Sequence, residues 1–285
     1  MKHFAIIGYP LKHTLSPVLH QKLARQLGVS LEYSIKEISH ENLEGSMKNL
    51  LELDGFNVTI PYKIEIEKYL DKLDVSAQKH GAVNVVSNEN GVHTGYNTDC
   101  IGFVRCIERA GIPLEGKVCV IGLGGVGRMF ATECACRGCQ VTFAVKQKHL
   151  DEMKQLEASG RKSELRQLQK EIEAISRQPV EILAAEEVNG KYDLLINASP
   201  VGMYPNTEPS PMSREQLKNM KAVFDCIYNP RETTLLRMAR EEGCMTCGGM
   251  AMLVWQAVAA QEIWLHTSFA PEQVEKVMQE MEEVL

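Results

Sequence analysis

The chain has 285 residues, 44% of them hydrophobic and 24% charged, with a net charge of −6 and a pI near 5.8. That length holds two modest domains with cores of their own, and the composition is that of a globular protein. No basic face is evident, which argues against nucleic acid as a partner, and no run approaches the roughly 20 apolar residues of a membrane span.

The N-terminus, MKHFAIIGYP, holds only a short apolar stretch before Gly8. It is too short for a signal peptide, reads as a first strand from His3 to Gly8, and leaves the cytoplasm as the expected address. Ser16-Pro17 predicts a helix to about Leu27, with serine as N-cap and proline at the first helical position. Leu31 to Ile38 alternates as a strand, and Asn42 to Leu51 is an amphipathic helix. A short buried strand covers Asp54 to Thr59 and stops at Pro61. Tyr62 to Leu70 and Val75 to Lys79 read as helical, and Ala82 to Ser87 forms a hairpin with Val92 to Gly95 across Asn88-Glu89-Asn90-Gly91. This alternation of strands and helices predicts an open, mostly parallel α/β sheet.

A helix from about Thr98 to Ala110 leads to Gly111-Ile112-Pro113, where the first domain boundary is expected. Residues 1–110, completed by 248–285, would form one domain and 111–247 the other. The second domain opens on VCVIGLGGVGR, residues 118–128. A short apolar run ends in Gly122, Gly124 and Gly127 at G-x-G-x-x-G spacing, and a helix follows. That is the strand, turn and helix of a Rossmann-type dinucleotide site. Gly122 makes the tight turn, Gly124 lets the backbone approach a pyrophosphate, and Gly127 lets the helix pack on the strand. Gly125 and Val126 complete the turn, and the helix N-terminus offers N–H groups to phosphate.

Further strands are expected at 140–145, 180–184, 193–197 and 222–226. His149 to Arg177 is charged and helical, without an apolar face wide enough for a deep core, and reads as a surface helix pair or one long helix without chemistry. Thr233 to Glu242 is a helix. Gly248-Gly249 opens an apolar helix from Met250 to Leu265 that carries both tryptophans, and Pro271 to Val284 is a last amphipathic helix. The nine cysteines include Cys134-x-Cys136-x2-Cys139 and Cys244-x2-Cys247. Positions i and i+2 do not share a helix face, and no histidine cluster accompanies the second pair. Buried free thiols are therefore expected, with no metal.

Four polar clusters stand at element ends. His13-Thr14-Leu15-Ser16-Pro17 places two hydroxyls before a helix N-terminus, which suits a carboxylate or simple capping. Asn57-Val58-Thr59-Ile60-Pro61-Tyr62-Lys63 lies at the C-terminal end of a strand, where open α/β sheets bind ligands. Asn84 interrupts an apolar strand, as a structural link or a hydroxyl reader. Gly95-Tyr96-Asn97-Thr98-Asp99 sits at a helix start, where Asp99 is also favoured by the helix dipole.

Together with the glycine turn, these stretches resemble the shikimate/quinate dehydrogenase family. The likeness lies in GYPLKHTLSPVLH (8–20), NVTIPYK (57–63), GAVN (81–84), GYNTDCIG (95–102), GLGGVGR (122–128), INASPVGM (196–203), YNPRETTLL (228–236) and GGMAMLVWQ (248–256). The resemblance implies that Lys63 and Asp99 are the catalytic pair and that Thr14 and Ser16 hold a substrate carboxylate. It implies that Thr59, Asn84, Asp99 and Gln256 read ring hydroxyls, and that Tyr228 and Gly249 lie near nicotinamide and substrate. Asn197, Ala198, Ser199 and Met203 would line the cofactor. The implied reaction is reversible NADP-dependent reduction of 3-dehydroshikimate to shikimate, in the route to chorismate and the aromatic amino acids. The alternatives are an NAD-dependent quinate/shikimate dehydrogenase of quinate catabolism and a non-catalytic metabolite sensor on the same fold. The expected partners are the cofactor and a small-molecule substrate, in a monomer or homodimer.

The chain departs from the family pattern at three places. Thr14 replaces the first serine of Ser-x-Ser, and Val85 replaces the usual threonine after GAVN, which would remove a hydroxyl near the ring. After the second strand of the Rossmann domain, Val145-Lys146-Gln147-Lys148 stands where NADP-using members have Asn-Arg-Thr. No acid lies between Gln140 and Leu150 to hold the ribose 2′-hydroxyl of NAD. Lys146 and Lys148 would welcome a 2′-phosphate, so NADP is favoured and NAD is the alternative.

Overall fold

The computed structural model describes residues 1–11 and 14–284. In chain order the elements are β1 (Lys2–Gly8), α1 (Ser16–Gln26), β2 (Leu31–Glu37), α2 (Leu43–Leu51), β3 (Gly55–Val58), β4 (Lys72–Leu73), α3 (Val75–His80), β5 (Val85–Glu89), β6 (Val92–Tyr96) and α4 (Thr98–Arg109). They continue with β7 (Lys117–Ile121), α5 (Gly125–Cys136), β8 (Gln140–Val145), α6 (Gln147–Ala158), α7 (Glu164–Ser176), β9 (Glu181–Ala184), β10 (Tyr192–Asn197) and α8 (Arg214–Leu217). Then come β11 (Met220–Asp225), α9 (Thr234–Glu241), β12 (Met245–Gly248), α10 (Gly249–Leu265) and α11 (Pro271–Glu282). The chain divides into two compact units, 1–102 with 253–284, and 103–252. The divisions fall inside α4 and α10, earlier than the Gly111-Ile112-Pro113 turn and later than Gly248. A continuous helix carries the chain through each division.

Unit 1 is built on a six-stranded sheet of order β2-β1-β3-β5-β6-β4. β2, β1 and β3 run parallel, β5 is antiparallel to both β3 and β6, and the short β4 pairs parallel with β6. Strand β1 is buried on both faces, which explains its unbroken apolar run. Ala5 and Ile7 join Met47, Leu50 and Phe56 on one side, and Phe4 and Ile6 join Tyr33, Val85 and Trp264 on the other. Trp264 of α10 stacks on Phe4 with ring centroids 4.4 Å apart and donates its indole N–H to the Val86 carbonyl at 2.9 Å. A Cβ on Gly55 would overlap that indole, so only glycine lets the helix approach the sheet. Helix α11 returns to α1 through Lys22–Glu280 at 2.8 Å and through the Gln273 amide, which donates to the Gln26 carbonyl at 2.6 Å.

Three local expectations change in this unit. Helix α1 begins at Ser16, not after it; Leu15 is the N-cap position, no side chain caps the helix there, and the Ser16 N–H donates to Thr14 Oγ1 at 3.3 Å. Tyr62 to Leu70 is not an α-helix, and only Glu65–Tyr69 forms a short 3₁₀ turn. The reason is tertiary: the Lys63 carbonyl accepts the Val83 N–H at 2.7 Å, and the buried Tyr62 hydroxyl donates to the Ile38 carbonyl at 2.5 Å. Val85 is fully buried in the aromatic cluster, so the missing threonine hydroxyl belongs to the core and not to a ring-binding surface.

Unit 2 carries a second six-stranded sheet, β12-β11-β10-β7-β8-β9, parallel throughout. Read from β7, this is the 3-2-1-4-5-6 order of the doubly wound dinucleotide fold. Phe103, Phe130 and Phe224 form its aromatic centre, with centroid separations of 4.5, 5.3 and 5.5 Å. Strand β12 was not foreseen, because Met245–Gly248 is short and reads first as a cysteine pair. The helix pair α6 and α7 does reach the core: Leu150, Met153, Leu168 and Ile172 are buried, and α7 lies against α5. All nine cysteines are free; Cys136 is exposed and Cys226 half-buried, against the expectation of burial, and the other seven are buried. No helix among the described residues is long and apolar enough to cross a membrane.

Candidate active site

In unit 1 the ends of β3, β5 and β6 bring three sequence-distant side chains together. Lys63 follows β3 in a turn fixed by its own carbonyl, and Asp99 stands in the first turn of α4. Lys63 Nζ lies 2.6 Å from Asp99 Oδ2, and both side chains are partly exposed. Asn84 Nδ2 donates to the other carboxylate oxygen, Oδ1, at 2.9 Å. Asn84 is itself buried: its Oδ1 accepts the Thr98 N–H at 2.6 Å, and its backbone bonds Tyr96 and Val58. The asparagine thus caps α4 from outside and fixes the carboxylate. Asp99 also gains from the positive end of the helix dipole. A carboxylate held from one side by an amide and from the other by an ammonium leaves the lysine oriented for proton transfer.

The carboxylate-binding candidates lie nearby in sequence to α1. Thr14 and Ser16 are half-buried; His13 lies outside the described residues. Ser16 reaches Tyr33, whose phenol burial pushes well above its ordinary pKa, opposed by the Ser16 hydrogen bond. Tyr33 donates to Asn57 Oδ1 at 2.5 Å, and Asn57 Nδ2 donates to the Asn84 carbonyl at 3.3 Å. A buried polar chain therefore runs from Ser16 to the Asn84 backbone. Its members Tyr33 and Asn57, and Thr98 beside Asn84, had been given no role from sequence. A tyrosine in an alternating strand carries no signal of a polar partner. Beneath this chain, the His20 ring stacks on Tyr33 at 4.5 Å and burial pushes its pKa down to about 3, opposed by a hydrogen bond with Asn57.

Thr59 is half-buried just beyond β3. Gln256 is nearly buried on α10, and its amide nitrogen donates to the Leu253 carbonyl at 2.9 Å within its own helix.

In unit 2 the glycine turn has the geometry a phosphate site needs. Gly122 sits at φ +82°, a Cβ on it would press on the Ala198 backbone, and a Cβ on Gly127 would overlap the Gly122 carbonyl oxygen. Gly124 and Gly125 are exposed and face open space, so the first-turn N–H groups of α5, with Val126 half-buried among them, are accessible. Asn197, fully buried, accepts the Ser199 N–H at 3.0 Å and donates to Asp225 at 3.0 Å, which sets the turn through Ala198 and Ser199. Asp225 also accepts from Thr233 and from the Ile227 N–H; burial pushes its pKa up to about 6 against those three bonds. Sequence reading passed over Asp225 because an acid ending an apolar strand looks like an ordinary strand terminus. Tyr228 is half-buried and Met203 exposed. Gly249 is buried, and a Cβ there would overlap the Cys226 carbonyl, which gives the glycine a packing reason.

A cavity of about 980 Å³ extends from Gly122 and Gly124 past Val145 and Lys146 to Ser199. Its far wall is the α6–α7 pair, through His149, Met153, Leu156, Arg161, Lys162, Leu165 and Leu168. The stretch given no chemistry from sequence therefore supplies one wall of the nucleotide-sized cavity. Lys146 lines it; Lys148, the second residue of α6, does not.

Comparison with known proteins agrees with both halves. Residues 6–86 match the model of the shikimate dehydrogenase substrate binding domain, and residues 118–200 match that of ketopantoate reductase PanE/ApbA. A shikimate dehydrogenase (NADP(+)) of Methanococcus maripaludis is 36% identical over 267 residues, covering 92% of this chain and 91% of that protein. The structure of shikimate 5-dehydrogenase from Thermus thermophilus in complex with NADP(H) and shikimate is similar at a TM-score of 0.81 and 29% identity, over 98% of this chain and 99% of that one. Shikimate 5-dehydrogenase from Listeria monocytogenes, in complex with shikimate and NAD, is similar at a TM-score of 0.84 and 27% identity, over 98% and 96% of the two chains.

Proposed function

We propose a function from two facts: the chain belongs to the shikimate dehydrogenase family, and it holds Lys63 and Asp99 side by side at 2.6 Å, with Asn84 on the free carboxylate oxygen. The protein is an NADP-dependent shikimate dehydrogenase that interconverts 3-dehydroshikimate and shikimate in the cytoplasm, on the route to chorismate. Nine free thiols fit a reducing compartment.

The residues of unit 2 fit the cofactor. The open faces of Gly124 and Gly125 admit a pyrophosphate to the α5 N-terminus, and the Asn197–Ser199 turn and Lys146 flank the same cavity. When bound, NADP supplies or accepts the hydride. The rest falls to side chains. Thr14 and Ser16 hold the substrate carboxylate, and Thr59, Asn84 and Gln256 read the ring hydroxyls. Tyr228, Met203 and Gly249 border the nicotinamide. Lys63 Nζ gives its proton to the ring carbonyl oxygen as that oxygen becomes an alkoxide, and takes it back in the oxidative direction. Asp99 holds the ammonium and the reacting hydroxyl, and Asn84 keeps the carboxylate from turning away.

The observation that carries this reading is the Lys63–Asp99–Asn84 chain. Absorbance at 340 nm tests it, with shikimate or quinate against NADP+ or NAD+. Fast reduction is expected with shikimate and NADP+. Faster reduction with quinate would move the substrate assignment, and silence with all four pairs would overturn the enzyme reading.

A further inference from the structure

The family's Asn-Arg-Thr is missing after β8, yet the end of that strand is where a dinucleotide fold reads the ribose 2′ position. Only Lys146 remains there to line the cavity. The connector between α6 and α7 brings two more cations, Arg161 and Lys162, to the same cavity from far along the chain. We propose that Arg161 and Lys162 join Lys146 as the seat of the adenosine 2′-phosphate, and that they set the preference between NADP and NAD. This rests on the cofactor reading above.

The connector is built to hold a fixed position. Helix α6 ends with Gly160 at φ +72°; the Gly160 N–H donates to the Glu157 carbonyl at 3.0 Å and the Arg161 N–H to the Leu156 carbonyl at 2.8 Å. This paired closure satisfies the last carbonyls of the helix and sets the direction of the exit. Two residues later the buried Ser163 caps α7 by accepting the Arg166 N–H. Across the connector, Arg166 grips Glu157 with both Nε and Nη2, at 2.6 and 3.3 Å. Arg161 and Lys162 are thus displayed from a closed turn, not from a loose loop.

Charge pairing separates them from their neighbours. Arg166 is committed to Glu157, and Arg128 lies 3.6 Å from Glu164. Among the described residues no ion pair engages Arg161, Lys162 or Lys146. Three cations without ion-pair partners on the wall of one cavity raise its positive potential, and a phosphate dianion bound there offsets that charge and gains charge-assisted hydrogen bonds. Arginine adds the planar fork that lysine lacks. Glu152 and Glu186 also line the cavity and define the competing outcome, a ribose hydroxyl held by a carboxylate as in NAD sites.

The test is binding. Dissociation constants for NADP+, NAD+ and 2′,5′-ADP are measured by titration calorimetry on the full chain and on R161A/K162A, at low and high salt. Loss of two charge-assisted contacts is expected to weaken NADP+ and 2′,5′-ADP by about 10- to 100-fold. NAD+ should change by less than about twofold, and the salt dependence of NADP+ binding should become shallower. Equal weakening of NAD+, or unchanged discrimination, would overturn the proposal, and so would an unsubstituted chain that binds NAD+ tighter than NADP+. If the double variant melts early, R161Q and K162Q singly carry the same comparison. Shikimate-dependent NADP+ reduction by the unsubstituted chain is read in parallel. If that reaction persists while the variants discriminate normally, the 2′-phosphate seat is refuted and the enzyme assignment stands.

Discussion

The two units build their candidate sites in opposite ways. Unit 1 works with side chains: Lys63, Asp99, Asn84 and Ser16 are held by a network of buried or half-buried polar partners, several with a second hydrogen bond. Unit 2 works with backbone and space: a glycine turn with no room for a Cβ at Gly122 or Gly127, an open helix N-terminus and a cavity whose wall carries Lys146, Arg161 and Lys162. A reacting group must be oriented to a fraction of an ångström, and here Asp99 and Asn84 are held by hydrogen bonds from fixed neighbours. A phosphate is large and charged, and it is caught by N–H groups and cations left without partners.

The contrast is broken most sharply at Lys63. Removing the ammonium in K63A is expected to lower kcat by about 10²- to 10⁴-fold, the range of a lost general acid–base group, while NADP+ binding by calorimetry stays within about twofold. Comparable loss of cofactor binding would show that the two functions are not divided between the units. The converse variant is G127A. Its Cβ meets the Gly122 carbonyl oxygen, a backbone atom that cannot swing aside. Overpacking of this kind costs about 1–3 kcal/mol. Thermal melts should show that destabilisation, and NADP+ should bind more weakly. Hydrogen exchange in β1 and α1 should be unaltered; increased exchange there would deny the units their independence.

A smaller effect sharpens the same comparison. His20 in unit 1 falls from its ordinary 6.5 to about 3, because burial penalises its charge. Between those values the unfolded chain binds the extra proton, so unit 1 loses stability as pH falls from about 6.5, by up to roughly 1.4 kcal/mol per pH unit. Asp225 in unit 2 rises from 3.8 to about 6, again chiefly by burial. There the folded form binds the extra proton, so its contribution grows as pH falls from 6 toward 4 and is lost as pH rises through 6. Hydrogen exchange at pH 7 and 5, corrected for intrinsic rates, should show protection dropping in α1 and β2 relative to β11 and α9. The reverse order would refute the assignment of these two groups.

Much of this was readable along the chain, for a physical reason in each case. Strand β1 shows itself because burial on both faces demands an unbroken apolar run, and β7 with α5 because a turn at φ +82° and a close helix demand glycine. Lys63, Asn84 and Asp99 were legible as polar residues stranded at element ends. Val85 was misread because a valine after an asparagine looks the same whether its side chain faces a ligand or Phe4 and Trp264. The α6–α7 pair was dismissed because four buried apolar residues spread over two helices make no convincing stripe on either.

The amino-acid sequence by itself determined the local chemistry: which stretches are strands or helices, where glycine is obligatory, and which side chains can carry a proton. Those follow from periodicity and residue type, which act over a few positions. Only the tertiary structure decided the partners. It set Lys63 against Asp99 and Asp99 against Asn84, joined Ser16 to Tyr33 and Asn57, and brought Arg161 and Lys162 to the cavity that Lys146 also lines. Hydrogen bonds and charge pairing depend on distance in space, and the chain brings those residues together only when its sheets and connectors are in place.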